Sequence, residues 1–340
     1  MKKFLDSNGQ PPWGILDGPV GAINYLAYPL RSPYREIIPA AERHRRFVHF
    51  HFMGFTSRRF IAGCSITMVG NTKTAFFYLF DRSTNELCKF GFRIPETSSG
   101  MVSLNPDDGL TRLTKNNCTV QFKNDLTHQA KSLFISSNEG IELKLRFAEK
   151  DYQFETLRLC TPTGPNGWTY CQKVAGIPAS GHLKYKGTVF SLGELDATAH
   201  HDFTAGFLRR DTFWNWACIT GTQPNGDVIG LNVSNGVNET GASENRVWCN
   251  GLSDDPGLFM FSYNPDNLED DWKITSDCGT NLTFKVEGKY AAFNDQISTG
   301  FDFHQLFGTF TGDVITRSGK RISIQNLSGF CERQYSIWYD

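Results

Sequence analysis

Ionisable side chains interleaved with tryptophans make residues 200–251 the stretch of this chain best equipped for chemistry. Asp202, Arg209, Arg210, Asp211 and Glu244 are set there among Trp214, Trp216 and Trp248. Charge beside indole is costly to bury unless it pairs or meets a ligand, so the pattern describes a lined cavity. Apolar walls raise the proton affinity of a carboxyl, which suits Asp202 or Glu244, and with them Glu332, to general acid work. Arg209 or Arg210, with Asn245, would then orient a substrate. The competing structural account has the same carboxylates and arginines closing the barrel ends as buried salt bridges.

Trp214 and Trp216 lie two apart and share one face of a strand, with Asn215 on the other. They form either a stacking platform for a ligand or ordinary aromatic core. Trp248 and Asn245 sit in turn-rich sequence and are expected at a cavity mouth. Asp302 and His304 share a face if extended, which makes His304 a candidate base oriented by a carboxylate, with Gln305 beside it as a substrate contact. His49 and His51 also share a face, but no third ligand accompanies them, and His200 and His201 point to opposite faces, so no metal is expected. No Gly-x-Ser-x-Gly elbow, phosphate-binding loop or dinucleotide fingerprint is present, and no cofactor is expected.

The elements that must position these residues are strands. The 340 residues hold 32 Gly and 28 Phe, turn clusters recur at short intervals, and no long window keeps an i, i+3, i+4 apolar pattern. Strands are expected at 59–69, 75–80, 140–147, 213–220, 228–233 and 322–327, with a short polar helix at 39–46. Asn225-Gly226 between two of these strands predicts a tight hairpin with positive φ angles. The densest Gly/Pro signal, residues 161–182, predicts a boundary between halves 1–165 and 166–340. Two antiparallel β-barrels or sandwiches packed side by side fit these lengths.

Lys plus Arg number 34 against 35 Asp plus Glu, and no basic block appears, which disfavours nucleic acid as a partner. No apolar run approaches the ~18 residues of a spanning helix, and no signal-peptide pattern opens the chain, so a cytoplasmic location is expected. The nine Cys are scattered without a Cys-x-x-Cys pair and read as free thiols. Sequons at Asn117, Asn232, Asn238, Asn281 and Asn326 are read as chance.

An ordered set of motifs adds a resemblance. It comprises Phe76 to Arg82, Trp168 to Gly181, Asp202 to Trp216, Gly230 to Ser234, Ser243 to Trp248, Gln305 to Gly312 and Gly329 to Glu332. Together they resemble the bacterial domain of unknown function 2804 family. The resemblance implies an all-β double lipocalin-like (calycin) architecture, distantly similar to hydroxyneurosporene synthase, a carotenoid hydratase, and to fungal lipocalin-like pericyclases. A shared fold is an analogy for function, not a derivation of it. Three functions stay open: a cofactor-independent hydratase or lyase acting on a small or apolar molecule, a carrier of a hydrophobic ligand, and a carbohydrate-processing protein using paired carboxylates.

Overall fold

The computed structural model describes residues 3–237, 241–295 and 300–339, so the sequon at Asn238 lies outside the described residues. The strands are numbered β1 to β23 in chain order. An eight-stranded sheet contains Gly14–Ile15 (β1), Val48–Thr56 (β2), Phe60–Val69 (β3), Thr72–Asp81 (β4), Glu86–Pro95 (β5), Leu157–Thr163 (β10), Gly167–Pro178 (β11) and Thr198–Gly206 (β14). Its spatial order is β1-β10-β11-β14-β2-β3-β4-β5. Against it packs a six-stranded sheet of Gly109–Lys115 (β6), Cys118–Asp125 (β7), Ala130–Ser136 (β8), Glu142–Ala148 (β9), Ser180–Tyr185 (β12) and Thr188–Ser191 (β13).

The remaining strands are Asp211–Thr222 (β15), Val228–Asn235 (β16), Arg246–Cys249 (β17), Leu252–Asp254 (β18), Phe259–Ser262 (β19), Trp272–Ser276 (β20), Asn281–Asn294 (β21), Phe301–Ile315 (β22) and Arg321–Ile337 (β23). They form one nine-stranded sheet in the order β18-β17-β16-β15-β23-β22-β21-β20-β19. It curls until Asn235 on β16 donates to the carbonyl of Phe259 on β19 at 3.4 Å. The fold is all-β with two curled antiparallel halves side by side. Among the described residues, the α-helix is the short Ala40–Arg46 segment, which buries none of its residues.

The change of sheet corrects the expected boundary at 165/166. Residues 161–182 do not separate the halves: they build the β10–β11 hairpin, its turn closed by Gly164 at φ +55°. The chain passes to the nine-stranded sheet only between Gly206 and Asp211. Glycine in a hairpin turn and glycine in a linker leave the same compositional mark, because both exploit the same backbone freedom. The 223–227 hairpin is present, with Gly226 alone at positive φ (+90°); Asn225 instead bonds the Asp227 amide through its side chain.

Two features dock the halves. Gly176, at a bulge in β11 with φ +80°, lies against Gly230 of β16, where a Cβ on either residue would collide with the other strand's backbone. Arg82 reaches from the end of β4 to Glu287 on β21 at 2.6 Å and to Ser328 on β23 at 2.7 Å. One apolar cluster then runs through both halves, with Phe52, Tyr78 and Phe80 on one side and Trp216, Phe307 and Phe330 on the other.

Candidate functional site

Strand alternation decides which side chains meet between the halves. On β11 and β14 the register pairs Lys173 with Asp202 and places Phe52 of β2 beside them. On the facing sheet Trp216 of β15 pairs with Glu332 of β23, which in turn pairs with Gln305 of β22. The site is assembled from both sheets.

Its centre is a buried ammonium. Lys173 Nζ lies 2.6 Å from Asp202 Oδ2, 3.5 Å from Glu244 Oε1, and 4.9 Å from the centre of the Trp216 ring. The Thr204 hydroxyl donates to Asp202 at 2.8 Å and the Ser234 hydroxyl donates to Glu244 at 2.7 Å, so each carboxylate has a second donor. Burial works against the Lys173 charge, but the two carboxylates outweigh it and hold its pKa above the usual lysine value. Burial also raises the Asp202 pKa, against the pull of Lys173 and with the Glu244 charge adding to the rise.

Glu332 stands differently. It accepts the indole N–H of Trp214 at 2.7 Å and the Gln305 side-chain amide at 3.2 Å. Burial pushes its pKa up to about 8, overriding the Trp214 bond and the distant charge of Lys173. Glu332 is therefore a neutral acid at neutral pH, and the Lys173 ammonium is committed to other carboxylates. Trp214 is half-buried and contacts Phe50 at 6.3 Å and Trp338 at 6.3 Å. Phe76 of the first half similarly meets Phe303 at 6.1 Å and Tyr290 at 6.0 Å. Half-buried rings thus edge the junction above Glu332 from both sheets.

Of the residues nominated by sequence, Asp202, Glu244 and Trp216 converge on Lys173, and Trp214 and Gln305 converge on Glu332. The cluster lies between the halves, not inside the second half, because Asp202 belongs to the first sheet. Arg209 and Arg210 are not its cations. Arg209 is exposed and donates to the Gly236 carbonyl, and Arg210 pairs with Asp211 at 3.0 Å, because the chain leaves the interior only after Leu208, in the link between β14 and β15. His304 bonds Asp302 at 2.8 Å, and Asp302 also takes Arg333 at 2.6 Å, but by alternation this group is on the face of β22 opposite Gln305.

Trp248 and Asn245 do not line a mouth. Trp248 is fully buried against Phe154 and donates to the Glu155 carbonyl at 2.7 Å. Asn245 bonds the Ser234 amide and the Gly257 carbonyl, so its side chain fixes backbone. His200 and His201 do split to opposite faces: His201 meets His51 at 3.1 Å inside the first half, and His200 faces the second. Among the described residues, no group of three His, Cys, Asp or Glu could hold a metal ion.

Sequence reasoning missed Lys173, Thr204 and Ser234 as site residues. Lys173 carried a signal: it is the one charged residue in the apolar run 168–179, spaced by two from Cys171 and Ala175, so it must share their face.

Two curled antiparallel halves with a polar cluster at their junction define a double lipocalin-like (calycin) architecture. The chain belongs to the family described as Domain of unknown function (DUF2804), whose model matches residues 16–338. Among solved structures it is similar to CghA, with TM-score 0.56, 12% identity and coverage of 100% of this chain and 97% of that one. It is also similar to a putative AttH from Nitrosomonas europaea (TM-score 0.50, 10% identity, 87% and 93% covered) and to kievitone hydratase from Nectria haematococca (TM-score 0.49, 8% identity, 96% and 98% covered). No curated protein matches the sequence. No helix among the described residues is long and apolar enough to cross a membrane.

Proposed function

We propose that the junction between the halves is the working site of a cofactor-independent hydratase or lyase with Glu332 as its general acid. The observation that carries this reading is a buried, neutral carboxyl, fixed by Trp214 and Gln305, under half-buried aromatic rings. In the hydration direction the Glu332 proton forms a C–H bond with one alkene carbon, and the π electrons of the alkene are the pair consumed. Positive charge builds on the other carbon, where the face of an indole such as Trp214 stabilises a cation. Water adds there and its surplus proton returns to the Glu332 carboxylate, restoring the acid. Elimination of water runs the same steps backwards. The Lys173, Asp202 and Glu244 group keeps the opposite wall polar and rigid.

The test offers the purified protein a panel of isoprenoid and phenylpropenoid alkenes and tertiary alcohols, and follows products that differ from substrate by one water by mass spectrometry. Turnover by the wild type, its loss in Glu332→Gln and partial recovery in Glu332→Asp support the reading. Turnover that survives in Glu332→Gln sinks it. The complete pairing of Asp202 and Glu244 with Lys173 favours a second reading, a carrier of an apolar ligand in which these charges are structural. Tight binding of panel members without conversion selects the carrier.

A further inference from the structure

Tyr78 and His200 take no part in that proton transfer, yet the fold makes unusual room for them. Gly54 on β2 and Gly63 on β3 are direct cross-strand partners. A Cβ at Gly54 would collide with Nε2 of His200, and one at Gly63 would collide with the Tyr78 hydroxyl and the Phe52 ring. The two bare positions thus seat two polar tips side by side on the face turned toward the second half. Both side chains are fully buried.

The surroundings are aromatic. His200 lies over Phe52 at 5.5 Å and 20°, and meets Phe330 edge-on at 5.3 Å. Tyr78 is 4.9 Å from Phe307 and 6.0 Å from Tyr290. Within this apolar wall, the Tyr78 hydroxyl and both nitrogens of His200 have no hydrogen-bond partner among the described residues. Burying such a group unpaired costs free energy, and Phe at position 78 would pack the same way without that cost. When ionised, the Glu332 carboxylate acts on Tyr78, so the phenol lies within electrostatic reach of the acid.

We propose that Tyr78 and His200 form an oxygen subsite, holding the hydroxyl or carbonyl oxygen of an otherwise apolar molecule bound between the halves. This deepens the hydratase reading and rests on it for the location of the ligand. A neutral imidazole offers one donor and one acceptor, and a phenol offers a donor with acceptor capacity, which together match a neutral oxygen. Burial brings the His200 pKa down to about 3, so the ring carries no charge to attract an anion. The aromatic rings around the pair fit a cyclic or unsaturated body attached to that oxygen.

Cyclohexanone and cyclohexanol serve as probes, with cyclohexene as the oxygen-free control, titrated into protein labelled with 15N-histidine. Both oxygenated probes should shift the ring nitrogens of His200 saturably and bind more tightly than cyclohexene. Tyr78→Phe and His200→Phe should each weaken cyclohexanone roughly three- to tenfold, while their melting temperatures stay equal or rise. Absence of a His200 shift up to the solubility limit overturns the proposal. So does an affinity for cyclohexanone no better than for cyclohexene, or one unchanged in both variants. Glu332→Gln should keep cyclohexanone binding, so loss of turnover with the probe still bound leaves the subsite standing, and a failed probe leaves the acid role of Glu332 to its own test.

Discussion

Trp214 and Glu332 are diagonal neighbours on the β15–β23 ladder, two residues out of register, and the indole N–H donates to Oε1 at 2.7 Å. One neutral donor and an amide at 3.2 Å do not repay the desolvation of a carboxylate, so the buried group keeps its proton to about pH 8.

That raised pKa makes stability depend on pH. The native state binds this proton more tightly than the unfolded chain, so the contribution is present in full below the ordinary carboxyl value and is lost as pH rises toward about 8. Between about pH 5 and pH 8 the wild type should lose on the order of 3–5 kcal/mol relative to Glu332→Gln. Chemical unfolding of both proteins across that range checks it; parallel pH profiles would exclude a protonated Glu332.

The buried histidines act with the opposite sign. Burial lowers the His49 pKa to about 4 and the His200 pKa to about 3, and holds His51 and His201 well below the usual value. The unfolded chain takes up these protons first, so stability is full above about 6.5 and falls as pH drops toward those values. Replacing His49 by Leu should move the acid-unfolding midpoint to lower pH, read by circular dichroism. An unmoved midpoint would mean that His49 is protonated in the folded protein.

Lys173 holds two carboxylates, and removing it takes the ammonium away from both. Lys173→Met should cost about 3–5 kcal/mol at neutral pH, the range for breaking a buried pair. Asp202→Asn should cost less, because Glu244 remains 3.5 Å from the ammonium. Urea melts of the two single variants and the double variant give the coupling energy, expected at about 0.5–3 kcal/mol for groups in contact. Additive losses would dissolve the cluster as an energetic unit.

The contact between Gly176 and Gly230 is one of the features that dock the halves. Gly230→Ala should destabilise the protein by about 1–3 kcal/mol or more, since its Cβ has backbone, not a yielding side chain, in its way. A surface control, Gly319→Ala, meets nothing within 4 Å, although its φ of +83° carries its own smaller strain. Equal losses at both positions would show that the halves have room to part.

Sequence by itself determined the strands and nominated part of the candidate site. Period-two alternation depends only on local geometry, so 59–69 and 213–220 were legible as strands, Trp214 and Trp216 as one face, and His200 and His201 as two. The resemblance across ordered motifs extended this to the double architecture. Partner choice was not legible, because it depends on which strands become neighbours. Arg209 and Arg210 stand close in sequence to Asp202, yet they lie past the end of β14, where the chain has left the interior. The cation that Asp202 and Glu244 needed comes from Lys173, on a strand that composition had assigned to a boundary. Glu332 was nominated, but the distinction between a paired carboxylate and a protonated one follows from desolvation and the distance to the nearest ammonium. Both quantities exist only once two sheets have closed on each other.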